Sequence, residues 1–140
     1  MDKHMPVSSI MTTNVISVSP NQTMDKVQDI FRKHNIHHVP VTDNGKVVGI
    51  ISHSDYLRLQ NSFTLFNTES SERYNSAIMH SLLVKEVMIK QVAKLEPTDS
   101  VEVAAGFFRE NLFHALPVVD KNGKLAGILT TYDLLNYAFS

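Results

Sequence analysis

The sequence predicts an α+β fold made of two similar β-α-β-β-α units related by pseudo-twofold symmetry. Three observations predict it: one pattern occurs twice, each copy has a turn dipeptide between strand-like runs, and each copy has a helical stretch. Residues 39–55 match residues 116–133, and Met11, Pro20 and Pro40 each recur 77 positions later. A period of this length with only two copies indicates a duplicated module rather than a solenoid.

Each unit opens with a short strand and continues as a helix. The strands are predicted at the apolar runs 15–18 and 92–95. In the stretches that follow, apolar side chains recur at helical spacing on one face. They are Met24, Val27, Ile30 and Phe31 in the first copy and Val101, Ala104, Ala105 and Phe108 in the second. Asn21 or Thr23 is a candidate cap, and Asn35 suits a left-handed residue at the helix end.

Two strands joined by a tight turn come next, and a second helix follows them. The dipeptide Asn-Gly occupies both turns, at 44–45 and 122–123, and both residue types tolerate the positive φ of a two-residue hairpin. Gly49 and Gly127 lie inside the later strands, where glycine indicates a close backbone approach. The predicted strands are 39–42, 47–51, 116–119 and 125–129.

The stretch 58–83 has no counterpart in the second copy. Phe63 and Phe66 could continue the preceding helix, the polar residues 67–72 predict a mobile loop, and 77–83 predict a further short helix. This stretch is where we expect features specific to this protein. The expected division is a first motif at 1–66, an inserted linker at 67–83 and a second motif at 84–140.

Composition argues against several classes of function. The 140 residues include 13 basic and 14 acidic side chains, so no overall positive field favours nucleic acid or an anionic membrane. The absence of cysteine excludes disulfides and thiolate chemistry and fits a reducing compartment. The first residues lack a signal-peptide core, and no apolar run approaches the roughly 20 residues that span a bilayer. A cytoplasmic protein is expected.

At the level of motifs, the chain resembles a pair of cystathionine β-synthase (CBS) domains. Each copy has a His-x-apolar-Pro-Val strand, at 37–41 and 114–118. Each also has a Gly-apolar-apolar-Ser/Thr-x-x-Asp turn from strand to helix, at 49–55 and 127–133. One such motif alone is weak, but two ordered sets at matched spacing carry the resemblance over nearly the whole chain outside 58–83.

The resemblance implies a non-catalytic regulatory module that binds adenosine-containing ligands in the cleft between its two motifs. Such ligands are AMP, ADP or ATP, and sometimes S-adenosylmethionine, so the module would sense energy state or a metabolite for an unknown regulated protein. A ligand that contacts both motifs can bias their relative angle. The resemblance further implies a homodimer, and here it points to the stand-alone kind of CBS pair, with no required cofactor.

Two turns are the predicted ligand sites. A helix start offers free backbone N–H groups and a partial positive charge, which suit phosphate, and Ser52 and Thr130 add hydroxyl donors there. Asp55 and Asp133 come one turn later, and a carboxylate suits the two hydroxyls of a ribose. By the family pattern, the hydroxyls face phosphate and the carboxylates hold ribose. The neighbouring hydroxyl residues are further candidates, namely Ser54 and Thr131.

The strands before these turns supply the remaining candidates. His37 and His114 occupy the same place in the two copies, where the family provides basic contacts to phosphate. His38 matches a position that can be basic, whereas its counterpart Ala115 cannot carry charge, so the two sites are expected to differ in affinity. The positions that pack on adenine in the family match Ile16 and Ala93.

The nucleotide preference follows from the cations near the motifs. Arg58 follows the first turn closely and Arg73 lies in the inserted stretch, but few other strong cations are near. Because a triphosphate needs more compensating charge, AMP or ADP is expected to bind better than ATP.

Other interpretations stay open at this stage. Ser/Thr-x-x-Asp is also a capping box, which needs no ligand, and a histidine or apolar strand residue is often purely structural. His34, His37 and His38 invite a metal site, although adjacent strand residues point to opposite faces. Asp55 and Asp133 as a catalytic pair have little support, since no enzyme motif accompanies them. The remaining alternative is an interaction or dimerisation module without a physiological ligand.

Overall fold

Six helices and four strands form the described part of the chain, which comprises residues 1–62, 68–111 and 113–140 of a computed structural model. A short 3-10 turn at Val7–Ser9 precedes them. The helices are α1 (Met24–Lys33), α2 (His53–Ser62), α3 (Thr68–Ser81), α4 (Val84–Val87), α5 (Val101–Asn111) and α6 (Thr131–Phe139). The strands are β1 (His38–Asp43), β2 (Lys46–Ser52), β3 (Ala115–Val119) and β4 (Leu125–Thr130).

The strands form two small sheets, β1 with β2 and β3 with β4, and the predicted α+β class is confirmed. In the first turn both Asn44 and Gly45 have positive φ, 52° and 83°, as the dipeptide predicts. In the second turn only Gly123 does, with φ 80°. That turn is one residue longer, and the Asp120 carboxylate accepts hydrogen bonds from the backbone N–H groups of Asn122 and Lys124.

The predicted opening strands are wrong in extent, because each is reduced to one bridging residue. Val18 pairs in parallel with Val41, and Leu95 pairs in the same way with Val118. The chain turns away immediately after each bridge: a backbone turn joins Ser19 to Gln22 in the first copy. The predicted left-handed residue at Asn35 is also wrong, since Asn44 is the one non-glycine residue with positive φ in the part of the chain that the structure describes.

The chain divides into two compact units that interleave the sequence copies. Unit 1 comprises Met1–Val15, Asn44–Val47 and Gln91–Ser140, and unit 2 comprises Ile16–Asp43 and Val48–Lys90. The opening of the first copy therefore belongs to the unit that contains most of the second copy, and the opening of the second copy belongs to the unit that contains most of the first. The sequence repeat alone did not indicate this exchange.

Matching valines from the two exchanged openings, residues 1–15 and 84–90, are buried in the two hydrophobic cores. Val7 is fully buried in unit 1 and Val84 is fully buried in unit 2. Burial of a valine or leucine side chain stabilises a fold by about 1.5–3 kcal/mol, so these residues anchor the exchanged segments. Val7 packs with Leu95, Ala104, Phe108, Leu116, Val118 and Leu129. Val84 packs with Val18, Met24, Val27, Phe31, Val39, Val41, Ile51, Tyr56 and Met79.

Backbone pairing holds each exchanged opening against a strand beside a glycine. Thr12 and Ile128 exchange two hydrogen bonds of 2.9 Å, next to Gly127. A Cβ atom at Gly127 would lie 2.9 Å from the Thr12 carbonyl oxygen and 2.6 Å from Met11 Sδ. The close backbone approach predicted at this glycine is thus confirmed, and its partner is a segment more than a hundred residues earlier in the chain.

The same arrangement recurs in unit 2. Ile50 and Ile89 exchange hydrogen bonds of 3.0 and 3.1 Å beside Gly49. A Cβ atom at Gly49 would lie 3.0 Å from the Ile89 carbonyl oxygen and 2.9 Å from Met88 Cγ. Neither strand can therefore accept a side chain at its glycine without moving the paired backbone.

The described residues of the inserted stretch are helical up to Ser81, so the predicted loop is wrong from Thr68 onward. The predictions for Phe63, Phe66 and Asn67 lie outside the described residues. Polar composition alone suggested a loop, but α3 packs on α1, and tertiary packing overrides weak local preference. Two side chains tie these helices together: His80 Nδ1 lies 3.0 Å from Asp25 Oδ2. No helix in the described part of the chain has the length and apolarity needed to cross a membrane.

Ionised Asp25 is favoured in the folded protein. A hydrogen bond from the Thr23 hydroxyl lowers the pKa of Asp25 below its ordinary value of 3.8, partial burial opposes this, and His80 adds a smaller lowering effect. A lowered folded-state pKa gives stability that is present above the unfolded-state pKa and is lost as the pH falls through the folded-state value.

We expect Gly49→Ala and Gly127→Ala each to lower the free energy of unfolding by about 1–3 kcal/mol, because an added methyl group overpacks against backbone. Gly106→Ala is the matched control: it lies inside α5, and beyond its chain neighbours and the adjacent helix backbone no atom lies within 4 Å of the position of the added methyl group. The control should be neutral or stabilising by up to about 1 kcal/mol. Urea unfolding measures all three, and equal effects at the three glycines would contradict the close-approach interpretation.

Asp25→Asn should destabilise the protein at neutral pH, and the difference from wild type should shrink as the pH falls below about 4. The reason is that the lowered pKa of Asp25 contributes stability only while the carboxylate is ionised. Thermal unfolding between neutral and acidic pH measures this. Asp29→Asn removes the same charge from an exposed position on α1 and serves as the control. A difference that stays constant with pH would contradict the assignment.

Candidate functional site

Reciprocal hydrogen bonds close the start of α6. The Asp133 backbone N–H donates to Thr130 Oγ1 at 3.1 Å, and the Thr130 backbone N–H donates to Asp133 Oδ2 at 3.0 Å. This is a complete capping box, in which each residue satisfies an amide of the other. The capping interpretation of Ser/Thr-x-x-Asp is therefore realised in the structure, and any ligand role must use what this box leaves available.

The start of α2 has the same pattern, with one of the two contacts longer. The Asp55 backbone N–H donates to Ser52 Oγ at 3.0 Å, and the Ser52 backbone N–H donates to Asp55 Oδ2 at 3.4 Å. Ser52 and Asp55 are both half-buried. The two turns are thus structurally equivalent at the cap, as the sequence repeat predicts.

A third amide at each helix start is also satisfied. The His53 backbone N–H donates to the His37 carbonyl at 2.7 Å, and the Thr131 backbone N–H donates to the His114 carbonyl at 3.0 Å. A helix start has four amides without helical partners, and three of them are now bonded within the protein. At each helix start only one amide, that of Ser54 or Tyr132, is left for a phosphate. This is fewer than the several free N–H groups expected from the sequence.

The two carboxylates differ in what their second oxygen meets. Asp133 Oδ1 accepts a hydrogen bond from the Thr12 hydroxyl at 3.3 Å, and the same hydroxyl lies 3.5 Å from Oδ2. Asp55 Oδ1 instead accepts a hydrogen bond from Arg58 Nη2 at 2.8 Å, which is also an ion pair. One carboxylate is paired with a neutral hydroxyl and the other with a cation.

Thr12 is a candidate that sequence reasoning missed. It is exposed, and it reaches Asp133 because the opening of the first copy lies in unit 1. Its position after the repeated Met11 was a signal, but the repeat does not reveal which copy a segment packs against. The residue that matches Thr12 in the second copy is Ile89, which lies in unit 2 with Asp55.

The histidines take different surroundings. His37 is exposed, and its ring lies edge-on to His53 with 5.6 Å between centroids. His53 also packs on Phe31, with centroids 5.1 Å apart. His38 is half-buried at the start of β1, and His114 is exposed before β3. Among the described residues, no group of three His, Asp or Glu side chains is arranged to hold a metal ion.

Each of the remaining predicted residues lies in the same unit as the aspartate of its own sequence copy. Ile16, Ser54 and the first-copy histidines lie in unit 2 with Asp55, while Ala93, Thr131 and His114 lie in unit 1 with Asp133. Ile16 and Ala93 are both half-buried, and Ala93 packs against the core of unit 1. A surface depression in unit 2 adjoins the first turn. It is lined by Asp55, Arg58, Leu59, Glu86, Val87 and Ile89.

Comparison with known proteins supports the motif assignment. The family described as CBS domain matches residues 7–62 and 84–140. A CBS domain-containing protein of Dictyostelium discoideum is 30% identical over 131 residues, which cover 93% of this chain and 88% of the relative. The uncharacterized protein MJ1225 of Methanocaldococcus jannaschii is 28% identical over 98% of this chain, which spans only 48% of that relative.

Solved structures give the same result for the fold. The structure of CBSX2 in complex with AMP is 28% identical, covers 95% of both chains and superposes with a TM-score of 0.77. CBSX2 is a CBS-pair protein from Arabidopsis thaliana. The matched residues account for both sequence copies, both hairpins and both capped helices. The chain therefore belongs to the CBS domain family, as a pair of CBS domains.

Proposed function

We propose that this CBS pair is a non-catalytic regulatory module that binds an adenine nucleotide, with Asp55 and Asp133 holding the ribose hydroxyls. The observation that carries the proposal is the pair of matched turns. In each turn one carboxylate oxygen accepts the capping hydrogen bond, and the other accepts a hydrogen bond from a side chain that a ligand could displace. The AMP complex of CBSX2, a protein of the same fold at 28% identity, supports the choice of ligand class.

Both turns retain acceptor capacity for a diol. A carboxylate has about four lone-pair positions, so a cap and one further contact do not exhaust it, but a ribose at Asp55 has to share the outer oxygen with Arg58. The partly used helix starts favour a ligand with little phosphate charge, because three of four amides are bonded and Arg58 is paired with Asp55. AMP or ADP is therefore preferred to ATP in this proposal, and S-adenosylmethionine is the alternative adenosyl ligand.

Regulation of a partner protein also requires that the module has two conformations. A ligand changes the activity of a partner only if it binds two conformations of the module with different affinity. The regulated protein would then respond to the concentration of the nucleotide, and the module would act as a sensor of energy state or of a metabolite.

Asp133→Asn and Asp55→Asn should each weaken AMP binding at one site by about tenfold to a hundredfold, since a hydrogen bond to a charged group is worth about 1.5–3 kcal/mol. Asparagine keeps an acceptor oxygen for the cap, so the fold should survive. Isothermal titration calorimetry measures the affinities, and Glu110→Gln removes an exposed negative charge from α5 as the control.

The same titrations separate the alternatives. No AMP or S-adenosylmethionine binding at millimolar concentration would favour an interaction module without a physiological ligand. ATP binding ten times tighter than AMP would contradict the charge argument. Unchanged AMP affinity in both aspartate variants would show that the site is wrong even if the ligand is right.

We also propose that the protein forms a homodimer through α6. Tyr132, Leu135 and Phe139 share one face of this helix and are 69%, 56% and 85% exposed. The matching face of α2 is more polar, with Ser54 and Asn61 in place of the two aromatic residues. A twofold contact pairs a surface with itself, so the apolar face of α6 is suited to a second copy of α6.

Leu135→Glu combined with Phe139→Glu should convert the dimer to a monomer, because two charges would be buried at a self-pairing surface. Light scattering coupled to size-exclusion chromatography measures the mass. Leu57→Glu is the matched control, since Leu57 occupies the equivalent place in α2 and is 40% exposed. A dimer that survives the double substitution, or one that the control disrupts equally, would contradict the α6 assignment.

A further inference from the structure

The first carboxylate carries a built-in competitor for a ribose. Arg58 lies one helical turn after Asp55 on α2, and its guanidinium donates to Asp55 Oδ1 at 2.8 Å. The Arg58 side chain is 78% exposed and the Asp55 side chain is 20% exposed. The cation thus covers the outer oxygen of a carboxylate whose other oxygen already faces the capped backbone.

The second carboxylate has no such cation at the matching position. The residue three places after Asp133 is Asn136, which is exposed on α6. The contact on Asp133 Oδ1 comes instead from the Thr12 hydroxyl, at 3.3 Å. The counterpart of Thr12 is Ile89, which offers no hydroxyl to Asp55.

The Thr12 hydroxyl and the Arg58 guanidinium differ in how they can interact with the two hydroxyls of a bound ribose. A hydroxyl both donates and accepts, so Thr12 can rotate and accept from one ribose hydroxyl while the Asp133 carboxylate accepts from the other. A guanidinium only donates, as the ribose hydroxyls must, so Arg58 and a ribose compete for the same oxygen of Asp55. Displacing Arg58 also separates an ion pair.

We infer that Arg58 is a specificity determinant that makes the Asp55 turn the weaker of two nucleoside sites, while Thr12 and Asp133 form the stronger one. This inference rests on the proposed nucleotide function and assigns the inequality of the sites to Arg58 and Thr12, whereas the sequence pattern assigned it to His38 and its counterpart. It changes the role of Arg58 from a cation that serves phosphate to one that occupies the ribose acceptor.

The size of the effect follows from the exposure of the pair. Exposed ion pairs are worth up to about 1 kcal/mol, which corresponds to about a fivefold change in affinity. Because the Arg58 guanidinium is exposed, the effect should fall with ionic strength, as the screening length drops from about 30 Å at 0.01 M to about 3 Å at 1 M.

Adenosine is the probe, since it carries the diol without a phosphate. In Asp133→Asn protein, which reports the Asp55 turn alone, adding Arg58→Asn should tighten adenosine binding by about threefold to fivefold at low salt and by less at high salt. In Asp55→Asn protein, adding Asn136→Arg should weaken adenosine binding by a similar factor. The gain from Arg58→Asn should be absent for 2′-deoxyadenosine, which lacks one of the two hydroxyls.

Melting temperatures of all variants separate folding from binding. If neither Arg58→Asn nor Asn136→Arg changes the affinity for adenosine, the inference is wrong. The proposed function still stands in that case, provided that the two aspartate variants weaken AMP binding. A salt-independent gain, or an equal gain for 2′-deoxyadenosine, also overturns it, because either result assigns Arg58 a structural role. No AMP or adenosine binding to wild type overturns the inference and the proposed function together.

Discussion

Pairing of each exchanged opening with a strand is the interaction on which the rest of the structure depends. Thr12 pairs with Ile128, and Ile89 pairs with Ile50, through reciprocal backbone hydrogen bonds. Glycine in the paired strand permits the approach, and a buried valine anchors each opening in the core of its unit. Without this exchange, Thr12 would not reach Asp133. The contacts of the Asp133 carboxylate therefore depend on which unit the opening segment packs in, and not on the turn motif alone.

The turns that we propose as binding sites are also helix caps. Ser52 and Thr130 cap helices, and their aspartates return hydrogen bonds to the capped backbone. A cap of this kind is worth about 1 kcal/mol without any ligand. The motif therefore cannot distinguish a binding site from a well-formed helix start. The distinction lies in the outer carboxylate oxygen, whose partner is set by a residue outside the motif.

Sequence reasoning succeeded where the determinants are local. The Asn44-Gly45 turn requires positive φ at both residues, and apolar spacing identified α1 and α5, so these elements were predictable. It failed where distant contacts decide. The loop predicted from Thr68 onward is helical because α3 packs on α1, and Thr12 was missed because a repeat shows which residues match and not which copy they pack against.

The same distinction explains why two equivalent turns differ in chemistry. The cap is fixed by residues within the motif, so both copies retain it. The outer oxygen of Asp55 meets Arg58, and that of Asp133 meets Thr12, and neither partner lies within its aspartate's motif. Each can differ between copies without disturbing the cap, since Arg58 is on the exposed side of α2 and Thr12 bonds Ile128 through its backbone alone. A duplicated fold can thus carry two turns whose carboxylates have different partners, because the groups that cap the helices and the groups that contact the outer oxygens are different residues.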